Sequence, residues 1–242
     1  MRIGGFLPFT LSDFPGYTAA VVFTQGCNFR CPFCHNGDLL PNGPGRMAEA
    51  EVLARLEGRR GRLGGVVLSG GEPTLQPDLP DFCARLKALG FAVKLDTNGS
   101  RPAVLRTLFA AGFLDAVAMD LKAPPHAYAR LAGVPDAWPV IQDSIRIVAE
   151  SGITHVFRTT VVPDLLSERD LAEIATLVPA SSAHVRQPFR PELALDPALR
   201  PARQAAPAKP TASLPTRPPH SDPVPPLYPH PEDEVRRAHG NR

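Results

Sequence analysis

From about residue 18 onward the chain alternates short β-branched runs with longer amphipathic stretches, and few architectures accept that alternation. Ala19 to Thr24, Gly65 to Ser69, Ala92 to Asp96, Ala116 to Asp120, His155 to Val162 and Ala183 to Gln187 are the candidate strands. Most are near-continuous apolar runs, the pattern of strands buried on both faces of a parallel sheet. Between them, Leu79, Phe82, Cys83, Leu86 and Leu89 share one face of a helix, with Gly90 placed to end it. Ile141, Ile145 and Val148 mark a later helix that Gly152 closes. Six β-then-α steps with right-handed crossovers curl into a parallel sheet, and the expected fold is α/β, a partial (β/α)6 barrel. Such sheets carry their chemistry at the C-terminal ends of the strands.

The pattern stops near Pro201, after which Pro, Ala, Arg and His dominate. The expected organisation is one domain over residues 1–200 and a disordered, Pro-rich tail over 201–242. The tail reads either as a natural low-complexity extension or as out-of-frame translation of a GC-rich gene. Elsewhere 26 Lys and Arg oppose 24 Asp and Glu, so no strong field pulls the chain toward nucleic acid or anionic lipid. No run approaches the roughly 18 apolar residues of a membrane span, and the first residues lack a signal-peptide core. The expected address is cytoplasmic, with no nucleic-acid or membrane partner.

Directly after the first candidate strand stands Gly26-Cys27-Asn28-Phe29-Arg30-Cys31-Pro32-Phe33-Cys34-His35-Asn36, a C-x3-C-x2-C spacing. Three of the four cysteines fall in this loop, which favours metal over disulfides in a chain of cytoplasmic character. Thiolates are the ligands of iron–sulfur clusters, and three on one loop hold three corners of a cubane while the fourth iron stays open. A structural zinc site needs a fourth ligand, which here means His35 or the distant Cys83. Packed thiols without metal are the remaining alternative, and Cys83, on an apolar helix face, reads as one of these.

Other strand ends carry polar strings. Ser69-Gly70-Gly71-Glu72-Pro73 is a turn whose glycines allow close backbone approach. Asp96-Thr97-Asn98-Gly99 and Asp120-Leu121-Lys122 put a carboxylate where a sheet of this type binds ligands, although an Asp there also caps helices. Arg158-Thr159-Thr160 and Gln187-Pro188-Phe189-Arg190-Pro191 close the last two candidate strands, the latter with no derivable role.

C-x3-C-x-aromatic-C after the first strand resembles the signature of the radical S-adenosylmethionine superfamily. Asp13-Phe14-Pro15-Gly16, Phe23-Thr24-Gln25-Gly26-Cys27 and Cys34-His35-Asn36 are similar to strings of the activating enzymes of glycyl radical enzymes, nearest to the anaerobic ribonucleoside-triphosphate reductase activating family. The likeness covers about residues 1–200. It implies that Cys27, Cys31 and Cys34 hold a [4Fe–4S] cluster whose open iron is chelated by S-adenosylmethionine. An electron from the reduced cluster then cleaves the cofactor to methionine and a 5′-deoxyadenosyl radical, which takes hydrogen from a glycine of a partner enzyme. A flavodoxin or ferredoxin is the implied electron donor.

The resemblance also assigns residues. Gly70, Gly71 and Glu72 match the motif for the methionine amino group, and Arg158 matches a contact to the cofactor carboxylate. Phe33, Asn36 and Lys122 are further cofactor-binding candidates. Asp96, Thr97 and Asp120 match positions that hold a monovalent cation beside that carboxylate in pyruvate formate-lyase activators, with a purely structural role equally open. His35 and His126 are candidates for substrate or cofactor contact. Two other functions stay open: a small-molecule radical enzyme similar to 7-carboxy-7-deazaguanine synthase, and a non-catalytic metal-binding module. The Cys-His-Asn and Asp-Thr-Asn-Gly strings favour the activator.

Overall fold

The structure is a computed structural model, and it describes residues 1–201; the expected disordered tail, residues 201–242, lies outside the described residues except for Pro201. Seven strands lie in one sheet in chain order: β1 (Ile3–Thr10), β2 (Ala19–Thr24), β3 (Gly65–Gly70), β4 (Ala92–Thr97), β5 (Ala116–Asp120), β6 (Thr154–Val161) and β7 (Ala183–Pro188). β2 to β7 run parallel, and β1 pairs antiparallel with β2. The crossovers hold α1 (Glu49–Glu57), α2 (Leu79–Ala88), α3 (Pro102–Ala110), α4 (Pro125–Ala132), α5 (Trp138–Ala149) and α6 (Glu168–Leu177). Among the described residues β1 and β7 are the two edge strands and do not pair with each other, so the partial barrel is open.

Two details differ from expectation. β1 is an added strand, because Gly4, Gly5 and Pro8 mask its strand signal; Pro8 is tolerated since an edge strand can lack a ladder donor. The sixth step has no helix after it among the described residues, only 3-10 turns at Pro191–Leu193 and Pro197–Leu199.

Strand alternation separates the sheet into two faces. Ala20, Val22, Val66, Leu68, Val93, Leu95, Val117 and Met119 pack with Phe82, Leu86, Leu105, Leu108 and Ile141 of the helices in the main core. Each fully buried Leu, Val or Phe there stabilises the fold by about 1.5–3 kcal/mol. The alternate residues Ala19, Val21, Val67 and Ala116 form a smaller cluster on the other face, here the inner face. Phe14, from the turn between β1 and β2, plugs that cluster. A β-carbon on Gly65 would lie 2.8 Å from the Phe14 ring, so the glycine makes room for the plug. The inner face is thus apolar at its N-terminal end. At the C-terminal end it carries polar side chains, and the site forms there. No described helix is long and apolar enough to cross a membrane.

Candidate cofactor site at the strand ends

An open cavity of about 350 Å³ lies at the C-terminal ends of the parallel strands. Cys27, Phe33, Asn36, Gly70, Gly71, Glu72, Asp96, Thr97, Asp120, Lys122 and Arg158 all line it, together with Cys31 and Cys34. The structure therefore brings the three loop cysteines and every cofactor-binding candidate of the sequence to one cavity.

The cysteine loop is pinned from both ends. The Arg30 backbone N–H donates to the Ala132 carbonyl at 2.8 Å, and its guanidinium donates to the carbonyls of Cys27 at 2.7 Å and Phe29 at 2.8 Å. The Gly26 N–H donates to the Leu39 carbonyl at 2.7 Å. Cys27 and Cys31 are buried, Cys34 is half-buried, and all are free thiols. Burial pushes the Cys27 thiol up to about 11 and the Cys31 thiol up to about 12. Thiols in such surroundings stay protonated at neutral pH unless a cation binds them, and metal ligation is what makes thiolates stable there. The Cys27 sulfur accepts from the Phe29 N–H at 3.4 Å and from Asn98 Nδ2 at 3.9 Å. Three convergent thiols with N–H donors aimed at one sulfur fit an iron–sulfur cluster in donor type and surroundings.

Glu72 ties the turn after β3 to the turn after β4. It is 1% exposed and accepts from the Thr74 N–H at 3.1 Å, the Thr97 hydroxyl at 2.8 Å and the Asn98 N–H at 2.7 Å, with the Thr74 hydroxyl as a further donor. Burial raises its carboxyl above the ordinary range against the pull of these donors. The glycines before it work mainly chain against chain. Gly70 takes φ +108°, and a β-carbon on Gly71 would meet the Gly26 carbonyl.

Charged side chains form a chain across three strands. Arg158 donates through Nε to Asp120 Oδ1 at 2.8 Å and through Nη1 to Asp96 Oδ2 at 3.2 Å. Lys122 Nζ donates to Asp120 Oδ2 at 2.8 Å, and Lys94 pairs with Asp96 Oδ1. Burial alone would raise the Asp120 carboxyl, but Arg158 and Lys122 outweigh it and hold the group at about 2. Burial works against Lys122 and Arg158 too, and Asp120 outweighs it, leaving both above their ordinary values.

The looser candidates divide. His35 lines the cavity, stacks on Phe189 at 5.7 Å and 18°, and accepts from the Arg190 N–H at 3.2 Å. Burial, and then the Arg190 charge, lower its pKa. His126 does not line the cavity; it is exposed and faces Asp170 at 3.3 Å and Glu173 at 3.6 Å on α6. Cys83 is fully buried in the helix core, away from the cavity wall, as its position on an apolar face implies. Asn98, Ser69, Phe29, Thr160 and Gln187 line the cavity without having been candidates. Asn98 and Ser69 stand inside strings that the sequence displays, so proximity to Asp96 and Gly70 was the available signal.

Residues 21–178 match the Radical SAM superfamily. The chain belongs to that superfamily. Membership in the radical SAM superfamily implies a [4Fe–4S] cluster and S-adenosylmethionine, and the thiol wall fits the first. A protein of Methanocaldococcus jannaschii described as "Putative glycyl-radical enzyme activating enzyme MJ1227" is 33% identical over 199 residues, covering 80% of this chain and 82% of its own length. The pyruvate formate-lyase-activating enzyme of Clostridium pasteurianum is 30% identical over 178 residues, 69% of this chain and 72% of that one. The radical SAM fold is also seen in the likeness to SuiB of Streptococcus suis bound to S-adenosylmethionine, with a TM-score of 0.55 at 17% identity. That match covers 69% of this chain, which spans 39% of the SuiB chain.

Proposed function

We propose that this chain is an activating enzyme that generates a glycyl radical on a partner protein, with residues 1–200 as its catalytic part. The observation that carries the reading is the convergence on one cavity of the Cys27–Cys34 loop, the Gly70-Gly71-Glu72 turn and the Asp120–Arg158 pair. When bound, the [4Fe–4S] cluster and S-adenosylmethionine supply a 5′-deoxyadenosyl radical by reductive cleavage of the cofactor.

Cys27, Cys31 and Cys34 hold the cluster as thiolates, and the bonds from Phe29 and Asn98 to the Cys27 sulfur stabilise its negative charge. Glu72, the Gly70 and Gly71 backbone and Asn36 bind the amino-acid end of the cofactor, with Phe33 of the cysteine loop lining the same cavity. The guanidinium of Arg158 and the ammonium of Lys122 attract its carboxylate, since both keep their charge at any physiological pH. Their pairing with Asp120 fixes them before the cofactor arrives, so little reorganisation is needed. Among the described residues the cavity at the C-terminal end of the inner face is open, which leaves room for a peptide segment of the partner.

The support for a protein substrate is the similarity to activating enzymes across most of the chain. The partner we propose is a glycyl radical enzyme of the anaerobic ribonucleotide reductase type, with a flavodoxin or ferredoxin as reductant and a cytoplasmic setting. The test is electron paramagnetic resonance of such a partner, encoded in the same genome, after anaerobic incubation with the reconstituted protein, S-adenosylmethionine and reductant. A persistent glycine-centred doublet is expected. Formation of 5′-deoxyadenosine without a doublet on any glycyl radical protein of that genome would point to a small-molecule substrate instead.

A further inference from the structure

Lys94 is a buried cation that the reading above leaves without a task. It stands on β4 two residues before Asp96, so alternation puts both on the inner face. Its register neighbours are Val67 on β3 and Ala116 on β5, both apolar. The Lys94 side chain is 7% exposed, and its partner Asp96 is 12% exposed. An ammonium in such a place persists only when paired, and Asp96 supplies the pair.

The pairing changes what the neighbouring oxygens can do. On Asp96, Oδ1 faces Lys94, while Oδ2 accepts from Arg158 Nη1 at 3.2 Å and Ser69 Oγ at 3.4 Å. On Asp120, Oδ1 accepts from Arg158 and Oδ2 from Lys122, each at 2.8 Å. The Thr97 hydroxyl donates to Glu72 at 2.8 Å and accepts from the Gly99 N–H at 3.1 Å. These are the oxygens that the family resemblance offers to a monovalent cation, and every one of them already faces a donor of this chain. Each of these oxygens keeps a lone pair beyond its protein donor, but a cation seated there would stand beside the charges of Lys94, Arg158 and Lys122, which already outnumber the two carboxylates. The residues therefore do not fit the group. Three cationic side chains, Lys94, Arg158 and Lys122, against two carboxylates leave one positive charge over, which is what a bound potassium ion would have contributed. An ammonium also resembles potassium in charge and size.

We propose that the Lys94 ammonium does in this chain the electrostatic work of a bound monovalent cation, so that S-adenosylmethionine binding needs no added potassium or sodium. The inference rests on the cofactor reading of the cavity given above. It makes Lys94 a positioning residue: it acts through Asp96 on Arg158.

The experiment is calorimetric titration of S-adenosylmethionine into the reconstituted full chain. Tetramethylammonium chloride is compared with potassium chloride and sodium chloride at equal ionic strength. The native protein is expected to change affinity by less than about twofold between salts. Lys94→Met is expected to bind about tenfold more weakly in tetramethylammonium, with most of the loss recovered by potassium or sodium. Thallium-205 resonance, with no S-adenosylmethionine present, reads cation binding directly: no specific broadening in the native protein, and broadening in Lys94→Met. A native affinity that rises strongly with potassium, or a thallium site in the native protein, would overturn the inference and leave the cofactor reading standing. A Lys94→Met protein that is weak in every salt would reduce Lys94 to a structural role and overturn it too. Failure of the native protein to bind S-adenosylmethionine in any salt would remove the cofactor reading, and this inference with it. If Lys94→Met does not fold, the salt series and thallium spectrum of the native protein decide alone.

Discussion

The carbonyl oxygen of Gly26 lies 2.2 Å from the point where a β-carbon on Gly71 would stand. Two turns are pressed together there, backbone on backbone. The Gly71 N–H donates to the Thr24 carbonyl and the Glu72 N–H to the Gly26 carbonyl, both at 2.9 Å. The contact seats Cys27, the residue after Gly26, and Glu72, the residue after Gly71, on the same wall of the cavity.

Gly71→Ala has no low-cost escape, because the clashing atom is backbone and cannot swing aside. The expected cost is about 1–3 kcal/mol, read as a lowered thermal midpoint, with weakened S-adenosylmethionine binding. Gly43→Ala is the control: its β-carbon would meet nothing within 4 Å. It is expected to stay within about 0.5 kcal/mol of the native protein. Equal melting of the two variants would contradict the close approach.

Cys31→Ala and Cys83→Ala separate ligand from packing. Cys31 lines the cavity, whereas Cys83 sits in the helix core at 0% exposure. Cys31→Ala is expected to abolish the brown colour of the reconstituted protein and all cleavage of S-adenosylmethionine. Cys83→Ala is expected to keep both and lose about 1 kcal/mol of stability. Loss of iron in Cys83→Ala, measured by metal analysis, would make that thiol a ligand.

Asp120 gives the site a pH signature. Its carboxyl is lowered from an ordinary 3.8 to about 2, because Arg158 and Lys122 outweigh the burial that would raise it. A depressed carboxylate contributes stability that is complete above its unfolded value and is lost as pH falls through the folded one. Denaturation of native and Asp120→Asn proteins is thus expected to show a constant gap from neutral pH down to about 4, closing between there and about 2. A gap that is already closing near neutral pH, or that persists at the acid end, would contradict the pairing.

Parallel strands β2 to β5 are legible in the sequence because each is a short, mostly apolar run between a glycine-bearing turn and a helix of regular period, whereas β7, AHVRQP, is mostly polar and has no helix after it among the described residues. β1 is not legible, since IGGFLPFT mixes two glycines and a proline into its apolar residues, and its place at an edge leaves Leu7 and Phe9 exposed. The cysteines and the Gly70-Gly71-Glu72 turn are legible because their spacing is local. The bond from Asn98 to the Cys27 sulfur joins residues 71 apart, and no local pattern announces it. Lys94 is hidden for another reason. A lysine in a strand reads as solvent-facing, and here it is buried between register neighbours Val67 and Ala116, which other strands supply. His126 misleads in the opposite sense. It stands four residues after Lys122 in the chain, but α4 turns it toward α6 and away from the cavity.

The central claim is that three thiolates leave one iron free for S-adenosylmethionine. Electron paramagnetic resonance of the reduced, anaerobically reconstituted protein tests it most directly, recorded with and without the cofactor and alongside an iron count. About four irons per chain and a reduced-cluster signal whose g-values move on adding S-adenosylmethionine are expected. A colourless protein carrying zinc, or a cluster signal that the cofactor leaves unchanged, would contradict the account.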